Sequence, residues 1–250
     1  MVKIAQLPRG PVPVPPRVEA LAAGAEITPV WLNEVGGLTF QLGHGETRRF
    51  AKWAPHGRGL DLHAEEERLR WARSFTPVPT VLASGRDPDA DWLVTQGLPG
   101  RSAVDARWRA EPERAVAALG TGLRRLHDAL PVDECPFDWS VETRLARSEK
   151  ATTKDPALLP FGPVPSVDRL VVCHGDPCAP NTLIADDGRW VGHVDLDALG
   201  VADRWADIAV ATMSLGWNYG PGWDDVFLQA YGVKPDAQRT AFYRSLWNGT

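Results

Sequence analysis

The 250-residue chain reads as an α+β protein in two lobes: an N-terminal lobe, residues 1–96, built on an antiparallel sheet with one helix, and a larger, mainly helical C-terminal lobe, residues 97–250. Three observations carry this expectation. Short apolar runs with strand-like alternation dominate the first hundred residues and are interrupted by a single stretch of helical period. Longer helical periodicity takes over after Pro112. A chain of this length buries a substantial core and divides into two lobes more readily than it forms one unit.

Taken in order, Pro11 to Pro16 is proline-rich and lacks the apolar stretch of a secretory signal. Asn33-Glu34-Val35-Gly36-Gly37-Leu38-Thr39-Phe40 puts two glycines at a bend between strand-like stretches. Phe50-Ala51-Lys52-Trp53 alternates as a strand carrying a lysine, and Ala64 to Trp71 reads as a helix with Leu62 and Leu69 on its apolar side. Trp92-Leu93-Val94-Thr95 is an apolar strand that breaks at Gln96-Gly97-Leu98-Pro99-Gly100, a hinge or a plain linker. Pro112 to Leu130 spaces Val116, Leu119, Leu123 and Leu126 as a helix, stopping before Pro131. Val141 to Lys150 is helix-like, and Lys150 to Pro165 reads as a loop. Arg169 to Cys173 and Thr182 to Ala185 are β-prone, Asp186-Asp187-Gly188 is a tight-turn signal, and Trp190 to Val194 returns as the second arm of a hairpin.

That hairpin carries the most informative residues. Val172-Cys173-His174-Gly175-Asp176 is closed five positions later by Asn181, and the return strand delivers Asp195 to the same place. An aspartate and an asparagine at this separation, followed by an aspartate on a strand turn, form the pattern of a phosphoryl-transfer centre. Asp176 lies against the attacking hydroxyl, while Asn181 and Asp195 hold Mg²⁺ on the phosphates of ATP. Such a centre needs a lysine on the phosphates and a helix carboxylate to fix its flexible stem, and Lys52 with Glu65 supplies both; Glu66 and Glu67 point elsewhere and are expected to be solvated. Backbone amides at Gly36 and Gly37, with Thr39 beside them, can approach phosphate oxygens, although Gly-Gly also makes an ordinary hairpin turn. Thr95 and Gly97 stand where an adenine edge can be read.

These stretches, in this order through most of the chain, resemble the aminoglycoside phosphotransferase family, antibiotic kinases that share the protein-kinase fold. Further matching stretches are Lys52-Trp53-Ala54-Pro55, Leu123-Arg124-Arg125-Leu126-His127, and Asp203-Arg204-Trp205-Ala206-Asp207-Ile208-Ala209. His174-Gly175-Asp176-Pro177-Cys178-Ala179-Pro180-Asn181 is most similar to the catalytic segment of the aminoglycoside 3'-phosphotransferases. The resemblance implies transfer from ATP, with GTP as an alternative donor, to a hydroxyl of a cationic aminoglycoside, the 3'-hydroxyl. It implies Asp176 as the catalytic aspartate, Asn181 and Asp195 as Mg²⁺ ligands, and Lys52 with Glu65 as the phosphate-positioning pair. A kinase of another small hydroxylated metabolite or antibiotic keeps every one of these residues and is the alternative.

Two departures shape the expectation. Gly175 stands where protein kinases carry an arginine, and no Ala-Pro-Glu segment follows Asp195, which argues against a phosphorylation switch and a protein substrate. The 3'-phosphotransferases end in an acidic pair followed by an aromatic residue, whereas this chain ends Ser245-Leu246-Trp247-Asn248-Gly249-Thr250. Candidate substrate acids are therefore sought elsewhere: Glu142 and Glu149 on the Val141 helix, Asp224 and Asp225 after Gly220-Pro221-Gly222-Trp223, and Asp197, which either meets a metal or substrate amine or caps a following helix. Asp203 and Asp207 are expected to buttress the catalytic loop, and His127 to be a core or capping histidine.

Charge agrees with a cationic substrate. The net charge is −5, and residues 171–250 hold five Arg or Lys against ten Asp, so the negative field sits in the catalytic half, which repels nucleic acid. No apolar run is long enough to span a bilayer. Cys135, Cys173 and Cys178 lack metal-ligand spacing and fit reduced thiols in a cytoplasmic protein, expected to be a monomer or weak dimer.

Overall fold

The computed structural model describes residues 10–33, 36–148, 153–160 and 162–250. They group into two compact units, one reaching to Ser74 and including Val78–Pro99, the other made of Phe75–Pro77 and Gly100–Thr250. The division falls after Pro99, three residues past the Gln96 boundary of the sequence reading.

In the first unit five antiparallel strands stand in the order β1-β2-β3-β5-β4, with β1 at Ile27–Leu32, β2 at Leu38–Leu42, β3 at Arg49–Pro55, β4 at Val81–Arg86 and β5 at Ala90–Gln96. Phe40, Leu42, Ala51 and Val94 from three of these strands pack with Val18 and Ala22 of helix α1, Pro16–Ala22, into one core. This helix is absent from the sequence reading, which saw only the proline run. Pro16 sits in its first turn, where the missing N–H costs nothing and the fixed φ favours the helix. The expected helix is α2, Leu62–Ala72, begun by Asp61, whose carboxylate accepts the Ala64 N–H at 2.9 Å. Lys52 lies opposite Thr39 of β2 and Leu93 of β5, so all three side chains share one face of the sheet.

The second unit is mainly helical: α3 at Ala106–Ala110, α4 at Pro112–Ala129, α5 at Val141–Arg147, α6 at Trp205–Tyr219, α7 at Asp224–Tyr231 and α8 at Ala237–Gly249. The predicted apolar spacing of α4 is met, with Val116, Leu119, Leu123 and Leu126 all buried. Gly120 marks a close approach, because a Cβ there would lie 2.5 Å from the Phe227 carbonyl oxygen of α7. The α5 helix ends at Arg147, short of the predicted Lys150, after a start at which Ser140 Oγ accepts the Thr143 N–H. Between it and Leu170 the described residues contain a single 3-10 turn at Pro156–Leu158.

Two small sheets carry the segments that lead to Asp176, Asn181 and Asp195. Strand β6, Arg101–Ser102, pairs with β8, Thr182–Ile184, which pairs in turn with β9, Trp190–His193, so the predicted hairpin forms with Thr182 opposite His193. Strand β7, Leu170–Cys173, pairs antiparallel with β10, Gly200–Asp203. The chain thus leaves β7 into His174, crosses to Asn181, runs out and back through the hairpin, and arrives at Asp195. No helix among the described residues is long and apolar enough to cross a membrane.

Candidate active site

The loop from His174 to Asn181 is held by side chains that belong to other elements. Asp207, fully buried in the first turn of α6, accepts the His174 N–H on Oδ2 at 2.6 Å and the Gly175 N–H on Oδ1 at 3.0 Å. Its Oδ2 also meets His127 Nε2 at 2.9 Å, and His127 Nδ1 meets the Tyr231 hydroxyl at 2.7 Å. His127 is therefore a core histidine, as expected, and Asp207 a buttress of the loop. His127, Cys173 and Asp207 bring metal-ligand atoms within 4.8 Å of one another. Both ring nitrogens and both carboxylate oxygens are engaged, so this cluster is a hydrogen-bonded core. Asp203 acts one step back from the loop: it lies on β10, its carboxylate accepts the Asp168 N–H at 2.8 Å and the Trp205 N–H at 2.9 Å to start α6, and its carbonyl accepts from Cys173 Sγ at 3.5 Å, at the end of β7.

His174 ties the loop to the strand before Asp195. Its Nε2 donates to the Val194 carbonyl at 3.0 Å, which leaves Nδ1 to accept the Asp176 N–H at 3.3 Å. Gly175 between them has φ +88°, a conformation natural to glycine. A Cβ at Gly175 would stand 2.3 Å from the Ala198 carbonyl oxygen, so no side chain fits where protein kinases carry arginine.

Asp176, Asn181 and Asp195 come together. Asn181 Nδ2 donates to the Asp176 carbonyl at 3.0 Å and to its Oδ2 at 3.2 Å, and the Val194 N–H bonds the Asn181 carbonyl at 3.0 Å. With its nitrogen so engaged, Asn181 keeps Oδ1 as its side-chain acceptor. Asp195 adopts φ +67°, a left-handed conformation rare outside glycine, which aims its carboxylate from a sharp turn. Asp176 Oδ1 is buried and accepts no hydrogen bond. Burial raises the Asp176 pKa above its ordinary value, against the lowering effect of the Cys178 thiol, and the nearby Asp195 charge raises it further. The Asn181 amide oxygen and the Asp195 carboxylate form an all-oxygen donor pair, which suits a hard cation such as Mg²⁺.

In the first unit Lys52 Nζ donates to both Glu65 oxygens at 2.7 Å, and Glu65 is buried. Glu67 is exposed as expected, whereas Glu66, expected to be solvated, is largely covered, with its carboxylate on Arg70 at 2.8 Å and on Ser84; Glu65 is the acid that meets Lys52. The glycine bend is different. The Gly37 N–H is taken by Asn33 Oδ1 at 2.6 Å and the Gly36 N–H by the Asn33 carbonyl at 3.3 Å, so these amides close their own turn and do not present a phosphate cradle. Glu34 and Val35 lie outside the described residues. Likewise the Gly97 N–H bonds the Arg48 carbonyl at 2.9 Å as a continuation of the sheet, and Thr95 is buried on β5.

The substrate acids scatter. Glu142 is exposed on the first turn of α5, and Glu149 lies outside the described residues. Asp197 is exposed and is followed by β10 with no helix to cap, which removes the capping alternative. Asp224 and Asp225 share the first turn of α7 and line an open cleft of about 440 Å³ with Met213, Trp217 and Arg244. Arg244 pairs with Asp224 at 3.1 Å, which leaves Asp225 as the more available charge of the two.

The phosphotransferase enzyme family matches this chain over residues 32–243. An aminoglycoside 3'-phosphotransferase of Streptomyces fradiae is 35% identical over 224 residues, 79% of this chain and 83% of that one. Among solved structures, an aminoglycoside 3'-phosphotransferase of type VIII superposes with a TM-score of 0.77 at 31% identity, covering 93% of this chain and 97% of its own. An aminoglycoside phosphotransferase from Streptomyces rimosus, bound to ADP and streptomycin, superposes with a TM-score of 0.67 at 26% identity over 91% of this chain and 94% of its own.

Proposed function

The chain belongs to the phosphotransferase enzyme family, and from that premise we propose that it transfers the γ-phosphoryl group of ATP to the 3'-hydroxyl of an aminoglycoside. One observation carries the residue assignment. The loop after β7 holds Asp176 Oδ1 buried and without a hydrogen-bond partner while Asn181 and Asp195 converge beside it, so one side chain is left to take a proton and two to hold a cation. Asp176 orients the acceptor hydroxyl and takes its proton late, since positioning and charge neutralisation do most of the work in phosphoryl transfer. Asn181 Oδ1 and the Asp195 carboxylate would hold Mg²⁺, which when bound neutralises charge on the phosphates. Lys52, kept in place by Glu65, pairs with the α and β phosphates, and Thr39 stands beside it on the sheet face. Asp225 and Glu142 are the acids offered to substrate amines. We place the enzyme in the cytoplasm as a monomer or weak dimer.

The test is Mg²⁺-dependent ATP consumption across kanamycin-like, neomycin-like and streptomycin-like compounds, with mass spectrometry of the products. A gain of one phosphate at the 3'-hydroxyl of a deoxystreptamine compound is expected, and Asp176→Ala should abolish it with nucleotide affinity nearly intact. Nucleotide binding without any phosphorylated aminoglycoside would overturn the substrate assignment.

A further inference from the structure

The cleft between α6 and α7 lies around the helix from the catalytic loop. Asp207 and Ser214, seven residues apart, share the face of α6 that holds the loop: Asp207 takes the His174 amide, and Ser214 Oγ accepts the Ala179 N–H at 2.9 Å. At about 100° per residue, Trp217 is turned about 60° from Ser214 and Met213 about 100° round the same flank, while Thr212 lies at the back of the helix. These three line the cleft together with Pro221, Asp225 and the Asp224–Arg244 pair. The way from the loop to the far face of α6 is about 10 Å, the width of a helix, and exceeds one sugar ring. The ring that offers its hydroxyl to Asp176 therefore cannot also fill the cleft.

The lining selects a chemistry. Its apolar side is the indole of Trp217, 62% exposed, with Met213 beside it. Across from them Arg244 is tied down: Nη2 meets Asp224 at 3.1 Å and the Thr212 hydroxyl at 2.9 Å, and Nε meets the Ala209 carbonyl at 3.3 Å. That pair cancels its own charge. Asp225 is exposed and has no ion pair or side-chain hydrogen bond among the described residues, so one uncompensated carboxylate remains in the cleft. Gly222, with φ +95°, has no atom within 4 Å of where a Cβ would stand, which leaves room on that side. The volume, about 440 Å³, suits a small ring. An indole face beside a free carboxylate favours a ring with one apolar face and an ammonium group, since tryptophan attracts cations over its face and the carboxylate accepts a charge-assisted hydrogen bond.

We propose that this cleft is the subsite for the third ring of the substrate, counted from the ring that is phosphorylated: Trp217 stacks on its apolar face and Asp225 pairs with its ammonium group. The proposal rests on the aminoglycoside reading and narrows it to acceptors of three rings, the middle one passing the flank of α6. Trp217 and Asp225 then set specificity and leave the chemistry at Asp176 untouched.

The experiment compares kanamycin B with neamine, which differ only in the third, amine-bearing ring, on full-length wild type, Trp217→Ala, Trp217→Phe and Asp225→Asn. Both Trp217→Ala and Asp225→Asn should raise KM for kanamycin B about tenfold with kcat within about twofold, while both constants for neamine stay within about twofold. Trp217→Phe, which keeps an aromatic face, should hold KM for kanamycin B within about threefold of wild type. A KM rise of equal size for the two compounds, or wild-type KM for kanamycin B in either Trp217→Ala or Asp225→Asn, would overturn the subsite. Both side chains are exposed, so the variants should fold as wild type does.

Isothermal titration calorimetry gives a readout that needs no turnover, and Kd should follow the same pattern as KM. If wild type binds kanamycin B without phosphorylating it, and the two variants weaken that binding about tenfold, the fault lies in the proposed function and the subsite stands. Phosphorylation of both compounds with unchanged Kd in the variants would remove the subsite alone. A wild type that neither binds nor phosphorylates kanamycin B would overturn both.

Discussion

Gly175→Ala is the sharpest perturbation the structure offers. Two costs add at this position. The φ of +88° is foreign to an L side chain, at about 1–2 kcal/mol, and the new Cβ overpacks the Ala198 carbonyl oxygen 2.3 Å away, at about 1–3 kcal/mol. Their sum, about 2–5 kcal/mol, corresponds to a fall in melting temperature on the order of 10 °C for a chain of this length. The damage is also directional. Ala198 lies three residues past Asp195, so relieving the clash moves the turn that aims the Asp195 carboxylate, and kcat should fall by about tenfold or more. Gly216→Ala is the internal control. Gly216 is exposed on α6 with no atom within 4 Å of its virtual Cβ, so alanine should raise stability by about 0.5–1 kcal/mol. Differential scanning fluorimetry and initial rates on both variants decide the matter. A Gly175→Ala enzyme with wild-type melting temperature and kcat would refute the reasoning.

Two further outcomes are expected. Glu65→Gln removes a buried carboxylate that receives two 2.7 Å bonds from Lys52, a charge-assisted contact worth about 1.5–3 kcal/mol, so kcat/KM for ATP should fall roughly ten- to a hundredfold. Glu66→Gln, one residue on, should leave it within about twofold, since the Glu66 carboxylate is turned to Arg70, His63 and Ser84; equal effects in steady-state kinetics would remove Lys52–Glu65 from the nucleotide site. The second outcome concerns pH. Burial, then the nearby His174 and His127, hold the His193 pKa well below 6.5, so the folded chain keeps it neutral while the unfolded chain takes up a proton below that pH. Its contribution to stability is complete above about pH 6.5 and falls by up to about 1.4 kcal/mol per unit as the pH drops beneath it. Urea unfolding of wild type and His193→Gln from about pH 7 to pH 5 should show the steeper decline in wild type, and parallel slopes would exclude the assignment.

The parts of the site that a sequence shows are those whose geometry is set by neighbours in the chain. Asp176, Asn181 and Asp195 converge because five residues and one tight hairpin connect them, and Lys52 is found because a strand alternates around it. Glu65 was separable from Glu66 by helix phase alone. What stayed hidden depends on long-range contacts. Ser214 sits in an apolar helix as an ordinary small residue, and only its contact with Ala179, 35 positions away, reveals a role. The glycine bend was misjudged for a related reason: Gly36 and Gly37 have the right conformational freedom, but Asn33 captures both amides, through its carbonyl and its side chain, and a motif does not show which acceptor wins. Helix α1 escaped notice because the Pro11 to Pro16 run is weighed only against a secretory signal, whereas Pro16 occupies the position where proline starts a helix.

The arrangement of α6 explains why catalytic and substrate residues differ so much in legibility. From Trp205 to Thr212 every residue of this helix is buried, as are Ser214 and Leu215, so its position is over-determined by packing and any side chain it directs at the loop inherits that rigidity. Asp207 and Ser214 use this rigidity to hold the backbone around Asp176. The last turns of the same helix emerge at the surface, where Trp217 is 62% exposed and faces the cleft shared with Asp224 and Asp225. A single helix therefore couples a buried half that fixes the chemistry to an exposed half free to vary with the substrate. Substitutions in the exposed half, such as Trp217→Ala, are expected to change kcat/KM among hydroxylated amines while leaving the hydrogen bonds of the loop around Asp176 in place, which steady-state kinetics across a substrate panel would check. The same loop can accordingly serve enzymes whose acceptors differ, and the catalytic triplet identifies the reaction far more firmly than it identifies the antibiotic.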